Sequence, residues 1–307
     1  MCESKNLLKK YLDSIMYQKK YSTYTVENYE RDLNDYLEFL SFNNIEYGSI
    51  QYHDIQQYMS FLYDKKYKKT SINRKLSAIR GFYSYLCEEN LIKSNPFDNV
   101  SSLKKYRKLP NYLYTNEIEK MLNVEETDTA INVRNELIIE LLYSTGVRVS
   151  ELVNIKMSDI NIDAKTIKIL GKGHKERIVL YGDYAAEKID KYISFSRIQL
   201  LGNKKSEYLF LNSRGGALTD RSVRNIINLV ASKSRVNSHV TPHTLRHTFA
   251  THLLNEGADL LTVKELLGHK NLSTTSIYTH LSKEHLRNVY LSSHPRSQNN
   301  VNQRKHI

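Results

Sequence analysis

The stretch Thr241-Pro242-His243-Thr244-Leu245-Arg246-His247 begins a helix in the second half of the chain. Thr241 is the expected N-cap, and Pro242 occupies the first helical position, where its missing N–H costs nothing. His243 and Arg246 lie three residues apart, so both side chains share one face at the positive end of the helix dipole. The stretch therefore predicts a helix whose first turn suits a negatively charged group.

Other phrases of the second half surround this helix. Thr145–Leu152 reads TGVRVSEL and puts Arg148 between a glycine helix stop and the start of the next helix. The segments 166–170 and 177–181 alternate as strands around the turn Gly171–Lys175, which contains two glycines. Further along come LLGH at 266–269 and TTSIYTH at 274–280. A β-hairpin among helices predicts a mainly α fold with a small antiparallel β-sheet, an α+β catalytic domain.

Apolar periodicity divides the chain into two domains. Residues 1–97 hold four amphipathic helices, the first over 4–18 and the second behind the caps Ser22 and Thr23, and short loops make them a four-helix bundle. The basic stretch 98–114 predicts an interdomain linker, and 115–307 a second domain. In that domain we expect helices near 115, over 131–144, 184–199, 219–234, 242–255 and 262–267, and from about 273, with a short strand at 208–211.

Composition narrows the class of partner. The 307 residues carry a formal charge of +12, and 40% of them are hydrophobic, which excludes disordered and collagen-like chains. No apolar run is long enough to span a bilayer, no signal peptide precedes the first helix, and two cysteines make no disulfide framework, so a cytoplasmic location is expected. Both halves of the chain are basic, which favours a polyanion that touches both domains.

Six side chains suit one reaction, in-line attack on a phosphodiester. Arginine forks neutralise the charge that develops on the phosphate oxygens without losing their own protons. A tyrosine is a usable nucleophile once a histidine accepts its proton, and a turn lysine can protonate the departing alkoxide, with Lys175 as a second candidate for that acid. Glu151 is expected to orient the nearby arginine. The candidate residues are Arg148, Lys172, His243, Arg246, His269 and Tyr278.

A metal site is the alternative for the histidines. His243, His247 and His252 recur on one helix, but Thr244 stands where a zinc protease has its glutamate, and no carboxylate or cysteine cluster lies nearby in the sequence. His247 is interpreted as a buried structural histidine. We therefore expect no metal and no cofactor.

The same six residues resemble the catalytic signature of the tyrosine recombinase (phage integrase) superfamily. The phrases TGVRVSEL, GKGHKER, HTLRHTFATHLL, LGHKNLSTTSIYTH and SSHPR are similar to its Xer branch, and the resemblance covers nearly the whole chain. It implies a SAM-like fold for the N-terminal core-binding bundle. Arg148 and Arg246 would hold the scissile phosphate, His243 would assist proton transfer, Lys172 would protonate the 5′-oxygen, and His269 would bind a non-bridging oxygen. Tyr278 would attack and form a 3′-phosphotyrosine, without metal or ATP.

The resemblance also implies partners. They are a double-stranded DNA recombination site, three further protomers of this chain or of a second Xer-type recombinase in a tetramer, a Holliday-junction intermediate and a septal DNA translocase, with chromosome-dimer resolution as the biological role. In the family, the C-terminal helix docks on a neighbouring protomer, so exchange of this helix is expected. The alternatives are an integrase of a phage or mobile element, a type IB topoisomerase, and a catalytically silent DNA-binding accessory protein.

Overall fold

A computed structural model describes residues 2–104, 111–124, 127–171, 176–268 and 283–297. The chain forms two compact units, Met1–Lys108 and Leu109–Ile307. None of the helices in the described ranges is long and apolar enough to cross a membrane.

The N-terminal unit is the expected four-helix bundle. Its helices are α1 (Cys2–Tyr17), α2 (Thr23–Phe42), α3 (Tyr52–Asp64) and α4 (Lys69–Glu88). Ser22 caps α2 by accepting a hydrogen bond from the backbone N–H of Thr25. Aromatic side chains fill much of the core, among them Tyr36, Tyr58, Tyr83, Phe82 and Phe97, each with an exposed fraction of 1% or less. Buried aromatic surface thus stabilises the bundle together with the aliphatic residues of the same core.

The ends of the predicted linker 98–114 pack on the two units. The side chain of Asn73 in α4 bonds the backbone N–H and C=O of Leu103, which keeps this residue against the bundle. Leu113 is fully buried in the C-terminal unit, where its N–H donates to the Thr248 hydroxyl. The remaining linker residues, 105–110, lie outside the described residues.

The C-terminal unit surrounds a central buried helix. Its helices are α5 (Thr115–Leu122), α6 (Ala130–Thr145), α7 (Val149–Leu152), α8 (Asp183–Lys191), α9 (Arg197–Leu201), α10 (Asp220–Lys233), α11 (Pro242–Asn255), α12 (Leu260–Leu266) and α13 (Lys283–Ser293). Helix α6 is buried almost all round, and α5, α8, α10 and α11 contact it. Its apolar residues lie on all sides of the helix and not on one face alone, which is typical of a helix inside a domain.

One antiparallel sheet, in the order β1-β2-β3, accompanies these helices: β1 (Ile160–Asn161), β2 (Thr166–Leu170) and β3 (Glu176–Leu180). The hairpin β2–β3 was predicted, whereas the two-residue strand β1 was not. Ile167 pairs with Val179 and Ile169 with Arg177, and such directly opposite residues point to the same face of the sheet. Arg177 therefore lies on the side of the sheet that faces the core.

The strand predicted at 208–211 is wrong. Tyr208 and Leu211 form two isolated bridges, to Lys156 and Ala217, instead of a ladder. Side chains hold the segment: the Tyr192 hydroxyl donates to Leu209 O, and the Arg197 guanidinium donates to the carbonyls of Tyr208 and Leu209. The helix predicted at 184–199 is present but contains one π-helical turn, Tyr192–Ser196, which carries this tyrosine.

Candidate active site

The first candidate arginine follows the end of α6. Gly146 ends the helix in the left-handed region at φ +59°, where a Cβ would lie 2.6 Å from Phe249 Cδ1 and 2.8 Å from Leu267 Cδ2. Both the backbone angle and the space therefore require glycine. Two residues later, Arg148 is the N-cap of α7, and its backbone N–H donates to Glu151 Oε2 at 2.8 Å.

The second arginine, Arg246, is fixed by backbone carbonyls. Its side chain is buried in the first turns of α11, where NH1 donates to Gly146 O and NH2 donates to Leu267 O at 2.6 Å. Burial, together with the nearby positive charge of Arg148, lowers the pKa of Arg246 to about 10. The side chain consequently remains charged at neutral pH while it is held between the end of α6 and the end of α12.

Glu151 holds Arg148, as predicted. Its Oε1 accepts from Arg148 NH1 at 2.8 Å, and Oε1 and Oε2 also accept from Arg177 NH1 and NH2, each at 2.8 Å. Burial opposes ionisation of Glu151, but the hydrogen bonds from Arg177 and Arg148 outweigh it and lower its pKa to about 2. The carboxylate is thus saturated with donors. The Arg148 side chain remains about two-fifths exposed, and Glu151 is its one hydrogen-bond partner among the described residues.

His243 lies in the first turn of α11, exposed, one turn before Arg246. Thr241 caps this helix as predicted, because its hydroxyl accepts from the Thr244 N–H at 3.1 Å. Arg148 thus lies between the end of α6 and the start of α7. His243 and Arg246 lie in the first turns of α11, and Arg246 reaches the end of α6 through its bond to Gly146 O. Lys172, Lys175, His269 and Tyr278 lie outside the described residues.

The interpretation of His247 as a buried structural histidine is wrong. His247 is half-buried beside the Tyr112 ring, and the fully buried histidine of α11 is His252. His252 Nε2 donates to Leu113 O at 3.0 Å, so its Nδ1 accepts from the Tyr143 hydroxyl at 2.9 Å. In the described ranges no group of three or more His, Cys, Asp or Glu side chains is arranged around a metal position.

Comparison with known proteins identifies the family. Residues 111–285 match the family model of the phage integrase family, and residues 8–90 match that of the phage integrase N-terminal SAM-like domain. The chain belongs to the phage integrase family. The predicted family and the SAM-like fold of the bundle are both confirmed.

Relatives within the phage integrase family indicate which class of recombinase this chain is. The chain is 46% identical over 290 residues to a tyrosine recombinase XerC from Anoxybacillus flavithermus, across 94% of this chain and 97% of the relative. It is 44% identical to a tyrosine recombinase XerC from Staphylococcus aureus, across 94% and 96%. A XerH site-specific recombinase, solved bound to palindromic difH substrate, is 27% identical with a TM-score of 0.69 over 87% of this chain and 79% of the other. This phage integrase family member is a Xer-type site-specific tyrosine recombinase, an enzyme that cuts and rejoins DNA.

Sequence reasoning missed one residue that contacts this candidate site, Arg177. Its guanidinium donates one hydrogen bond to each carboxylate oxygen of Glu151, and no role was predicted for it from the sequence. A signal was present, because Arg177 and Val179 alternate on one face of β3, and an arginine on the buried face of a strand needs hydrogen-bond acceptors. The partner lies 26 residues away in the chain and cannot be read from local pattern.

The last described helix, α13, packs on its own domain. Tyr290 is 1% exposed and joins the cluster of Phe249, Leu253 and Leu267, and behind the helix the Arg296 guanidinium donates two hydrogen bonds to the fully buried Glu140. Docking of this helix on a neighbouring protomer, predicted from the family resemblance, stays a prediction.

Proposed function

We propose that Arg148 and Arg246 hold the scissile phosphate of a chromosomal recombination site while Tyr278 attacks it. The observation that carries this proposal is the Arg148–Glu151–Arg246 arrangement, in which both guanidinium groups are fixed before any substrate arrives. Fixed donors stabilise developing charge without reorganising at the moment of reaction, which is usually the largest contribution to such catalysis.

The proton transfers use the other candidates. As the bond from Tyr278 Oη to phosphorus forms, His243 takes the tyrosine proton, and as the bond from phosphorus to the 5′-oxygen breaks, Lys172 gives that oxygen a proton. His269 donates to a non-bridging oxygen. The product is a 3′-phosphotyrosyl link and a free 5′-hydroxyl, and the reverse steps on a partner strand rejoin the DNA through a Holliday junction without ATP.

Chromosome-dimer resolution is the biological role that the relatives favour. The similarity to XerC proteins extends over almost the full length of both chains at 41–46% identity. An integrase of transposon Tn1549 and lambda integrase are 19–20% identical, which reflects the shared fold alone, so the mobile-element alternative has weaker support. The enzyme would act in the cytoplasm on double-stranded DNA, as a tetramer of this chain or with a second Xer-type recombinase, with a septal DNA translocase as a further partner.

The decisive experiment replaces the proposed nucleophile. A target duplex is first selected from a randomised DNA library by gel shift and then nicked, so that a covalent adduct accumulates. Tyr278→Phe should bind this duplex with unchanged affinity and form no adduct, because the hydroxyl is the bond-forming atom. Tyr114→Phe, at an exposed tyrosine of the same domain, is the matched control and should form adduct as the wild type does. Adduct formation by Tyr278→Phe would overturn the assignment.

A further inference from the structure

Arg177 enters the arginine cluster from the sheet. It is the second residue of β3, five residues after Lys172, and its side chain is 16% exposed. Both of its terminal nitrogens donate to Glu151, one to each carboxylate oxygen, in the bidentate geometry that gives the strongest arginine–carboxylate pairs. Arg177 thereby joins the hairpin that carries Lys172 to the helix that carries Arg148.

Arg177 also contacts the turn that leads to His269. A Cβ on Gly268, which has φ +65°, would lie 2.7 Å from Arg177 Cδ and 2.9 Å from its Nε. The arginine stem therefore lies directly against the backbone of Gly268, the residue before His269. The Arg177 side chain therefore touches or adjoins the chain segments that contain Arg148, Lys172 and His269.

The charges of the cluster complement a phosphate. The charges of Arg148, Glu151 and Arg177 all act on Arg246, so the four groups form one electrostatic unit. Three guanidinium groups and one carboxylate leave two surplus positive charges. A phosphodiester carries one negative charge and approaches two in the transition state, so the cluster matches the charge that develops.

The bond pattern shows what Arg177 does for Arg148. Each Glu151 oxygen accepts two hydrogen bonds, one from Arg148 and one from Arg177. With Arg177 in place, the Arg148 side chain makes a single hydrogen bond to Glu151. Without it, Glu151 would be free to take a second bond from the Arg148 guanidinium, which would withdraw that nitrogen from the substrate.

We propose that Arg177 is a positioning residue for strand cleavage. It donates to both carboxylate oxygens of Glu151 and thereby leaves the Arg148 guanidinium available to the scissile phosphate. It acts through Glu151 and does not touch the DNA. This inference rests on the proposed function of Arg148.

The test measures single-turnover adduct formation on the nicked, library-selected duplex, with the affinity for the same duplex measured in parallel. Arg177→Gln should lower the cleavage rate by on the order of 100-fold, the effect of misplacing a catalytic group by about 1 Å. The dissociation constant should change by less than about threefold, since other contacts supply most of the affinity. Arg177→Lys, which restores the charge but not the fork, should recover part of the rate.

Coupling to Glu151 separates positioning from general stabilisation. If Arg177 works through Glu151, adding Arg177→Gln to Glu151→Gln should cost far less than it costs alone, because residues in one hydrogen-bond network are not additive. The matched control is Arg197→Gln, which removes another buried arginine of the same domain, one that bonds backbone carbonyls of 206–209. It should lower the melting temperature without changing the cleavage rate below that temperature.

The outcomes are distinct. Three results would each overturn the role of Arg177. The first is a wild-type cleavage rate in Arg177→Gln, and the second is a rate loss in the double variant with Glu151→Gln that equals the two single losses combined. The third is an equal rate loss in Arg197→Gln. Adduct formation by Tyr278→Phe would instead overturn the proposed function on which the inference rests.

Discussion

At the residue scale, the two proposed phosphate-binding arginines are fixed by different means. Arg246 donates to two backbone carbonyls that the fold itself places, whereas Arg148 depends on a carboxylate that is shared with Arg177. The carbonyl partners of Arg246 carry no net charge to offset its own. The carboxylate of Glu151 offsets one of the other two charges, so its removal and the removal of Arg177 should have opposite effects on the local charge.

The choice between Lys172 and Lys175 as the general acid is decided by the leaving group. Lys172→Ala should lower the rate of cleavage of an ordinary duplex by a factor of about 100 or more, which is within the range for a general acid. On a duplex with sulfur in place of the scissile 5′-oxygen, the variant should recover most of the rate, because a thiolate leaves without a proton. Lys175→Ala is the matched control and should cleave both duplexes as the wild type does. Recovery by Lys175→Ala and not by Lys172→Ala would reverse the assignment.

At the element scale, local chemistry predicted where helices begin and end. Thr241 and Ser22 are the N-caps, and Gly146 is the C-terminal stop of α6, because each satisfies a backbone requirement within four residues. Elements set by distant partners could not be predicted in this way. The segment 208–211 is held by Tyr192 and Arg197, and it has the apolar sequence of a strand without the ladder.

The candidate site also contains residues with local partners and residues with distant partners. Its motif residues could be read from the sequence because their spacing within a helix turn or a hairpin is local, as for His243 and Arg246. The role of Arg177 requires the sheet register and the approach of α7 to β3, which join residues 26 apart. Sequence pattern therefore finds candidate residues with local partners, such as Glu151 three residues after Arg148, more readily than residues such as Arg177 that act across distant elements.

Helix α13 and the segment after it should be sensitive to acid. Burial lowers the pKa of His294 to about 3, against about 6.5 in an unfolded chain. The unfolded chain therefore binds the proton more readily, so this contribution to stability is complete above pH 6.5 and is lost as the pH falls below it. The free energy of unfolding should decrease by up to about 1.4 kcal/mol per pH unit between pH 6.5 and 5.

The measurement is denaturant unfolding at several pH values in that window. His294→Phe, whose ring replaces the imidazole among Tyr143, Phe249 and Tyr290, should show a shallower loss of stability with falling pH. An identical slope in this variant and the wild type would show that His294 is not the group responsible.

At the scale of the whole molecule, positive charge is distributed over both units. The surplus of basic over acidic residues is five for Met1–Lys108 and seven for Leu109–Ile307, of the total +12. A basic tail on a neutral enzyme would concentrate the surplus in one unit. The even distribution indicates that each unit contributes its own phosphate contacts to a DNA complex.

Binding of the full chain to its selected duplex should therefore weaken steeply with salt. Each neutralised phosphate releases condensed counterions, so the logarithm of the association constant should fall by about 0.9 per phosphate contact against the logarithm of salt concentration. Gel-shift titrations of Tyr278→Phe, which keeps cleavage out of the measurement, give this slope directly. A duplex of the same bases on an uncharged peptide backbone is the control and should not bind measurably. A flat salt dependence, or equal binding to the uncharged duplex, would mean that the basic surfaces of the two units do not face phosphates.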